Sequence, residues 1–306
     1  MEINQVKIAT PTYKTPIVQR LKACFLLSRY NKKYPELKSD VFQMSPETEL
    51  RLKANAIYSR SQKFSIDDYN SLSKLEKAIL REVYTANKQA ALDSLRVGIK
   101  VKQKLDKYEG KDKYAFCCIG TSPSGIARVL EFMGVETKYL PISQLNWLDC
   151  VEDWKLHSHK FANYEKFMDE QGLSSEKVSK SDKKYLFYDF VQQGMSIIVF
   201  EKMMKEHFGL DLPNVEFNNV NYLCQSACAE NIEPPQYAID YIETYMNSNG
   251  ICDFGGVPHL PIDQIDEIEK CKEYESLTAK TFNFFVIDEL AKKGLLKNNP
   301  ANINAL

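Results

Sequence analysis

Two stretches of the chain repeat one design. Residues 114–120, YAFCCIG, form a short apolar run that ends in the loop TSPSG and opens at once into the apolar-periodic segment IARVLEFMG. Residues 184–190, KYLFYDF, are followed by VQQGMS and then by SIIVFEKMMKEHFG. Both read as strand, loop and helix. A strand that feeds a helix through a short loop has room to return only as a parallel neighbour, because parallel pairing needs a crossover. TKYLPIS supplies a returning strand after the first helix, which Gly134 closes, and VEFNNVNYL supplies a fourth strand candidate after the second. This alternation predicts an α/β core with a mainly parallel sheet. Ligands on such sheets bind at the C-terminal ends of the strands.

Upstream of residue 113 the period is helical. A helix is expected from Thr15, with Ile17, Leu21, Cys24 and Leu27 on its apolar stripe and Pro16 in its first turn. Ser45, Pro46, Glu47 and Glu49 form a helix start. Residues 73–107 contain no proline and one glycine, Gly98, and read as one long helix or two in sequence. The expected organisation is a helical N-terminal region over 1–110, then an α/β core with C-terminal helical and loop additions over 111–306. Residues 144–170 read as an amphipathic helix, and a last sizeable helix is expected over about 276–294.

Composition narrows the function classes. The 306 residues carry a net charge of −1, which argues against a polyanion-binding surface spread over the whole molecule, so nucleic acid is not the expected partner. The longest apolar runs, such as SIIVF, fall far short of the roughly 20 residues of a membrane span. The N-terminus shows no signal-peptide pattern, so a cytoplasmic location is expected. Eight cysteines are present, but a chain of this length with an ordinary core does not need disulfide staples. Cys117 and Cys118, inside a strand, read as small hydrophobes.

The two loops carry the functional reading. A helix N-terminus presents unpaired N–H groups and the positive end of a dipole, so it attracts phosphate. Glycine lets the backbone approach an anion, and Ser or Thr adds a hydroxyl donor. Each loop is also explained as an ordinary strand-to-helix turn with a Ser, Thr or Asp cap. Neither contains a Walker A sequence or the G-x-G-x-x-G fingerprint, which argues against a nucleoside triphosphatase and a nicotinamide dehydrogenase.

YLFYDFVQQGMSI resembles the phosphoribosyl-pyrophosphate motif of the type I phosphoribosyltransferases, in which an apolar strand ends in acids and leads to a short loop with a glycine and a hydroxyl residue. The upstream CCIGTSPSGIARVLEFMG is similar to that family's pyrophosphate-binding loop. The resemblance covers about 113–225. It implies a sheet of phosphoribosyltransferase-like type. Asp189 then matches the family's second acid, faces the ribose hydroxyls and is the catalytic residue of the motif. Gln192, Gln193, Gly194, Met195 and Ser196 cradle the 5-phosphate, and Gly120, Thr121, Ser122, Ser124 and Gly125 face the pyrophosphate. Mg²⁺ arrives through the substrate, and the polar stretch 171–184 stands where the family often has a mobile cover. Tyr188 stands in place of the family's first acid, and Gln193 in place of its Thr or Ser.

The resemblance implies a phosphorylated small molecule as ligand, with ribose-phosphate transfer to an acceptor that the sequence does not name. A catalytically inactive sensor or interaction protein on the same fold, and a different sugar-phosphate enzyme such as an isomerase, stay open beside it. So do a protein partner and a homodimer. Lys138 reads equally as an extra phosphate contact and as a solvated lysine. Cys224, Cys228, Cys252 and His259 are spaced too loosely for an established zinc pattern. His157 and His159 lie on different faces of a helix. The basic run from Arg96 to Lys107 is a solvated helix face.

Overall fold

The computed structural model describes residues 17–35, 45–85, 88–111, 113–120, 123–142, 152–191, 195–221 and 276–297. Strand β1 (Tyr114–Ile119) is buried at every position. A strand without polar alternation needs cover on both faces, which is the environment of an inner parallel strand. β1 has that environment. It pairs with β2 (Glu136–Leu140) on one side and β3 (Lys184–Val191) on the other, and β4 (Val215–Asn221) pairs with β3. The order is β2-β1-β3-β4, and every pair is parallel. Among the described residues the fold is α/β, with a small four-stranded parallel sheet and many helices.

The described elements divide into two units. One contains α1 (Ile17–Lys33), α2 (Pro46–Tyr58) and α4 (Lys74–Val83). Its core includes Leu27, Tyr30, Leu50, Ile57, Ile79 and Leu80. Ser73 and Glu76 form a reciprocal capping box at the start of α4. Glu76 also takes a 2.6 Å hydrogen bond from Arg60. The expected stripe of α1 is corrected. Leu21 and Cys24 are exposed, whereas Ala23, Leu27 and Tyr30 are buried. Both sets have helical spacing; Tyr30, with the Lys53 ammonium 4.9 Å from its ring centre, lies on the buried one.

The other unit holds the sheet, α3 (Ile66–Ser71) and α5 (Lys88–Tyr108). The stretch 73–107 is thus two helices, interrupted at Tyr84. Although α5 precedes the sheet in sequence, it packs with α6 (Ser124–Phe132) in the α/β unit. Val97, Val101 and Leu105 of α5 and Ile126 and Leu130 of α6 cluster with Phe116, Cys118, Leu186 and Tyr188 on one face of the sheet. On the other face lie a 3₁₀ turn (Asp153–Lys160), α7 (Ala162–Glu170), α8 (Ser175–Ser179) and α9 (Met195–Glu206). Phe161, Phe167, Val178, Val199 and Met203 from these segments pack with Cys117, Ile119 and Phe187. The expected helix over 144–170 is replaced by the 3₁₀ turn and α7; residues 143–151 lie outside the described residues.

The last described helix, α10 (Leu277–Lys293), packs on α5 and α6 as a further layer. Ser276 caps its start and Gly294, at φ 69°, ends it. It is buried nearly all round, so its polar groups need internal partners. Tyr69 donates to Asp288 at 2.8 Å, Lys280 donates to the Ser61 carbonyl, and Asn283 donates to the Phe64 carbonyl. No helix among the described residues is long and apolar enough to cross a membrane.

Candidate functional site

Strand order and crossover handedness create one special place in the sheet. From β1 the chain crosses through α6 to β2, and from β3 it crosses through α9 to β4, in the opposite direction. Right-handed crossovers running in opposite directions put their helices on opposite faces. That is what the packing of α6 and α9 displays. Between β1 and β3 the direction reverses, and in open α/β sheets the crevice outside the strand ends at such a reversal is where ligands bind. The register Cys118↔Tyr188 brings the ends of these two strands side by side.

At the end of β1, Gly120 has φ +65°, a left-handed turn conformation. Its N–H donates to the Leu140 carbonyl at 2.8 Å, and a Cβ there would lie 3.3 Å from the Ile142 carbonyl oxygen. Thr121 and Ser122 lie outside the described residues. Pro123 is the N-cap of α6, so no side-chain hydrogen bond caps the helix. Ser124 and Gly125 are both buried. A Cβ at Gly125 would come within 2.8 Å of the Ser94 Oγ and 3.4 Å of the Phe282 ring. The second glycine of the loop therefore has a packing reason of its own, the close approach of α6 to α5 and α10.

At the end of β3, Asp189 is half-buried and lies in register with Asn219 of β4. Strand alternation puts it on the α9 face with Tyr185 and Phe187. Tyr188 points the other way, into the cluster under α5 and α6, with its ring 5.2 Å from that of Phe116. The position that the resemblance aligns with an acid is thus a core position in this chain. Met195 opens α9, and Ser196 follows it in the first turn. Gln192, Gln193 and Gly194 lie outside the described residues.

Electrostatics ties the two strand ends together. Burial, and after it the charge of Asp189, pushes the Cys118 thiol well above its ordinary range, while Arg128 acts in the opposite direction. Burial likewise raises Cys117. Both thiols stay protonated at neutral pH and are poor nucleophiles. Arg128 is the charged group that sequence reasoning missed. It sits on α6, bonds Glu131 at 2.9 Å and lies 5.2 Å from the ring centre of Tyr139, whose hydroxyl donates to the same Glu131 at 2.7 Å. The i,i+3 spacing of Arg128 and Glu131 on an otherwise apolar helix was its only sequence signal.

Other candidates fall elsewhere. Lys138 pairs with Glu136 at 3.0 Å. The stretch 171–184 enters β3 at its N-terminal end, away from the two loops, and it is anchored. Leu173 and Val178 are buried, and Asn214 donates to the Val178 and Lys183 carbonyls. It is therefore not a cover for the C-terminal strand ends. His157 is half-buried and His159 exposed. Cys224, Cys228, Cys252 and His259 lie outside the described residues. Among the described residues no group of three or more His, Cys, Asp or Glu is disposed to hold a metal. No protein-family model, no curated protein and no solved structure matches the chain.

Proposed function

We propose that the chain is a phosphoribosyltransferase-like protein that binds a sugar phosphate, with phosphoribosyl pyrophosphate or a related nucleotide as the leading ligand, at the ends of β1 and β3. The observation that carries this reading is the crossover reversal between those strands, with the left-handed Gly120 turn on one and Asp189 on the other. In this reading Asp189 accepts hydrogen bonds from the sugar hydroxyls. Backbone N–H groups at the start of α9 and the Ser196 hydroxyl hold the 5-phosphate. Ser124 and Gly125 shape the entry to α6 instead of touching the ligand. In this reading Mg²⁺ comes and goes on the ligand's own phosphates, where it supplies charge neutralisation.

A second reading, binding without transfer, is favoured by the burial of Tyr188 against Phe116, since that position carries no acid for the ribose. Thermal melts of the wild type and of Asp189→Asn, with and without phosphoribosyl pyrophosphate plus Mg²⁺, test the site. A ligand at 100 times its Kd stabilises the fold by about 2.7 kcal/mol. The wild type is expected to shift and the variant to shift less. A folded wild type that ignores the ligand sinks the proposal. Pyrophosphate release in an acceptor screen then separates transfer from binding alone.

A further inference from the structure

The opposite end of the sheet holds a second feature, independent of the strand-end site. A cavity of about 260 Å³ is lined by Tyr114, Gly134, Val135, Glu136, Lys183 and Lys297. Tyr114 and Glu136 are the first residues of β1 and β2, and Lys183 immediately precedes β3. The cavity therefore opens at the N-terminal strand ends.

Its charge is unbalanced. The Glu136 carboxylate is engaged twice, by Lys183 at 2.6 Å and by Lys138 at 3.0 Å. Lys297 adds a third ammonium with no counter-charge among the described residues. Among the described residues, Lys183 and Lys297 thus line the cavity against one lining carboxylate, Glu136, which is already engaged. Lys297 is also held in place. Its backbone N–H donates to the Phe132 carbonyl at 2.9 Å, and its stem runs along Gly134, where a Cβ would lie 3.5 Å from Lys297 Cγ. Gly134, at φ +90°, is a conformation that side chains rarely adopt, and the missing side chain leaves the space beside the lysine open. Most described lysines of this unit instead have a carboxylate partner, as Lys102, Lys177, Lys184 and Lys205 do.

We propose that this cavity is a binding site for a small dianion of the phosphate class, held by Lys297 and Lys183. Lys183 keeps ammonium protons beyond the one given to Glu136, and the cavity is large enough for inorganic phosphate or a small phosphomonoester but not for a polymer. The test titrates the full chain with sodium phosphate at constant ionic strength, with sodium chloride making up the balance, and follows the thermal midpoint and the heat of binding. Phosphate is expected to raise the midpoint beyond the chloride control in the wild type and in Lys297→Arg, and to lose that effect in Lys297→Met. Lys297 is exposed, so its substitution leaves the fold intact. No response beyond chloride overturns the proposal. So does a response of equal size in Lys297→Met, which reports an anion bound elsewhere, the strand-end site included.

Discussion

The inner and outer strands of the sheet are built on different principles. β1 and β3 are apolar almost throughout and are covered by helices on both faces. β2 is half-buried at four of its five positions and carries Glu136 and Lys138, which pair with each other. The inner pair is held by shape, and the outer edge is held in part by charge. Burying apolar surface is worth about 25 cal/mol per Å², so a fully buried Phe contributes on the order of 2–3 kcal/mol. A half-exposed ion pair contributes about 1 kcal/mol at most. Shape therefore dominates stability in the middle of the sheet, and the edge is open to change.

Tyr188→Asp gives the largest expected break in this contrast. It supplies the acid that the proposed phosphoribosyltransferase-like reading lacks at this position, but puts a carboxylate beside Phe116 under α5 and α6. An uncompensated buried charge costs about 3–5 kcal/mol. Urea unfolding should show that loss, and a variant as stable as the wild type would show that the position is not core.

Next comes Gly98→Ala, in the helix layer that covers the inner strands. A Cβ there would meet Val129 Cγ1 at 2.5 Å, and Val129 is fully buried. Overpacking of this kind costs about 1–3 kcal/mol. Alanine gains about 1 kcal/mol over glycine in helix propensity, so the net loss is expected to be about 1–2 kcal/mol. Adding Val129→Ala should relieve the clash. The two changes together should therefore cost less than the sum of each alone, and simple additivity would sink the argument.

The smallest effect belongs to the edge. Burial pushes the Glu136 carboxyl up, but hydrogen bonds from Lys183 and Lys138 outweigh it and hold the group below its ordinary value of 4.5. A carboxyl whose folded pKa is lowered adds stability that is fully present above its unfolded pKa. That stability is lost as the pH falls through the folded pKa. The wild type should thus lose a contribution of under about 1 kcal/mol below about pH 4.5, and Glu136→Gln should lack that part of the dependence. Thermal midpoints measured from about pH 6 down to about pH 3 check it; parallel profiles for the two proteins would remove Glu136 from the account.

Much of the architecture was legible in the residues. YAFCCIG and KYLFYDF read as strands because a short unbroken apolar run suits an inner parallel position, and each end moved by one residue: β1 stops at Ile119, before Gly120, and β3 runs on to Val191. Ser45 marks a helix start because side-chain capping is a local property, and the last helix, Leu277–Lys293, falls within the expected 276–294. On α1 the same logic was right for Leu27 but also put Leu21 and Cys24 on the covered stripe, where Ala23 and Tyr30 are buried instead, because only the neighbouring helix decides which apolar residues are covered.

The candidate site was less legible. The sequence placed two loops after two strands, and local chemistry was enough for that. It could not say that Gly125 serves the contact with Ser94 and Phe282, since residues 94 and 282 are far apart along the chain and meet only through α5 and α10. Nor could it say that Tyr188 is turned into the core, or that 171–184 is tied down at the far end of the sheet by Asn214. The charge cluster of Glu136, Lys183 and Lys297 joins three distant segments at the N-terminal strand ends. What depended on a residue and its near neighbours was determined by the sequence alone: period, caps, turns and the order of strands and helices. Which side of each strand is covered, and which charges meet, was decided only by the tertiary structure, because burial and Coulomb energy depend on distance in space and not on separation along the chain.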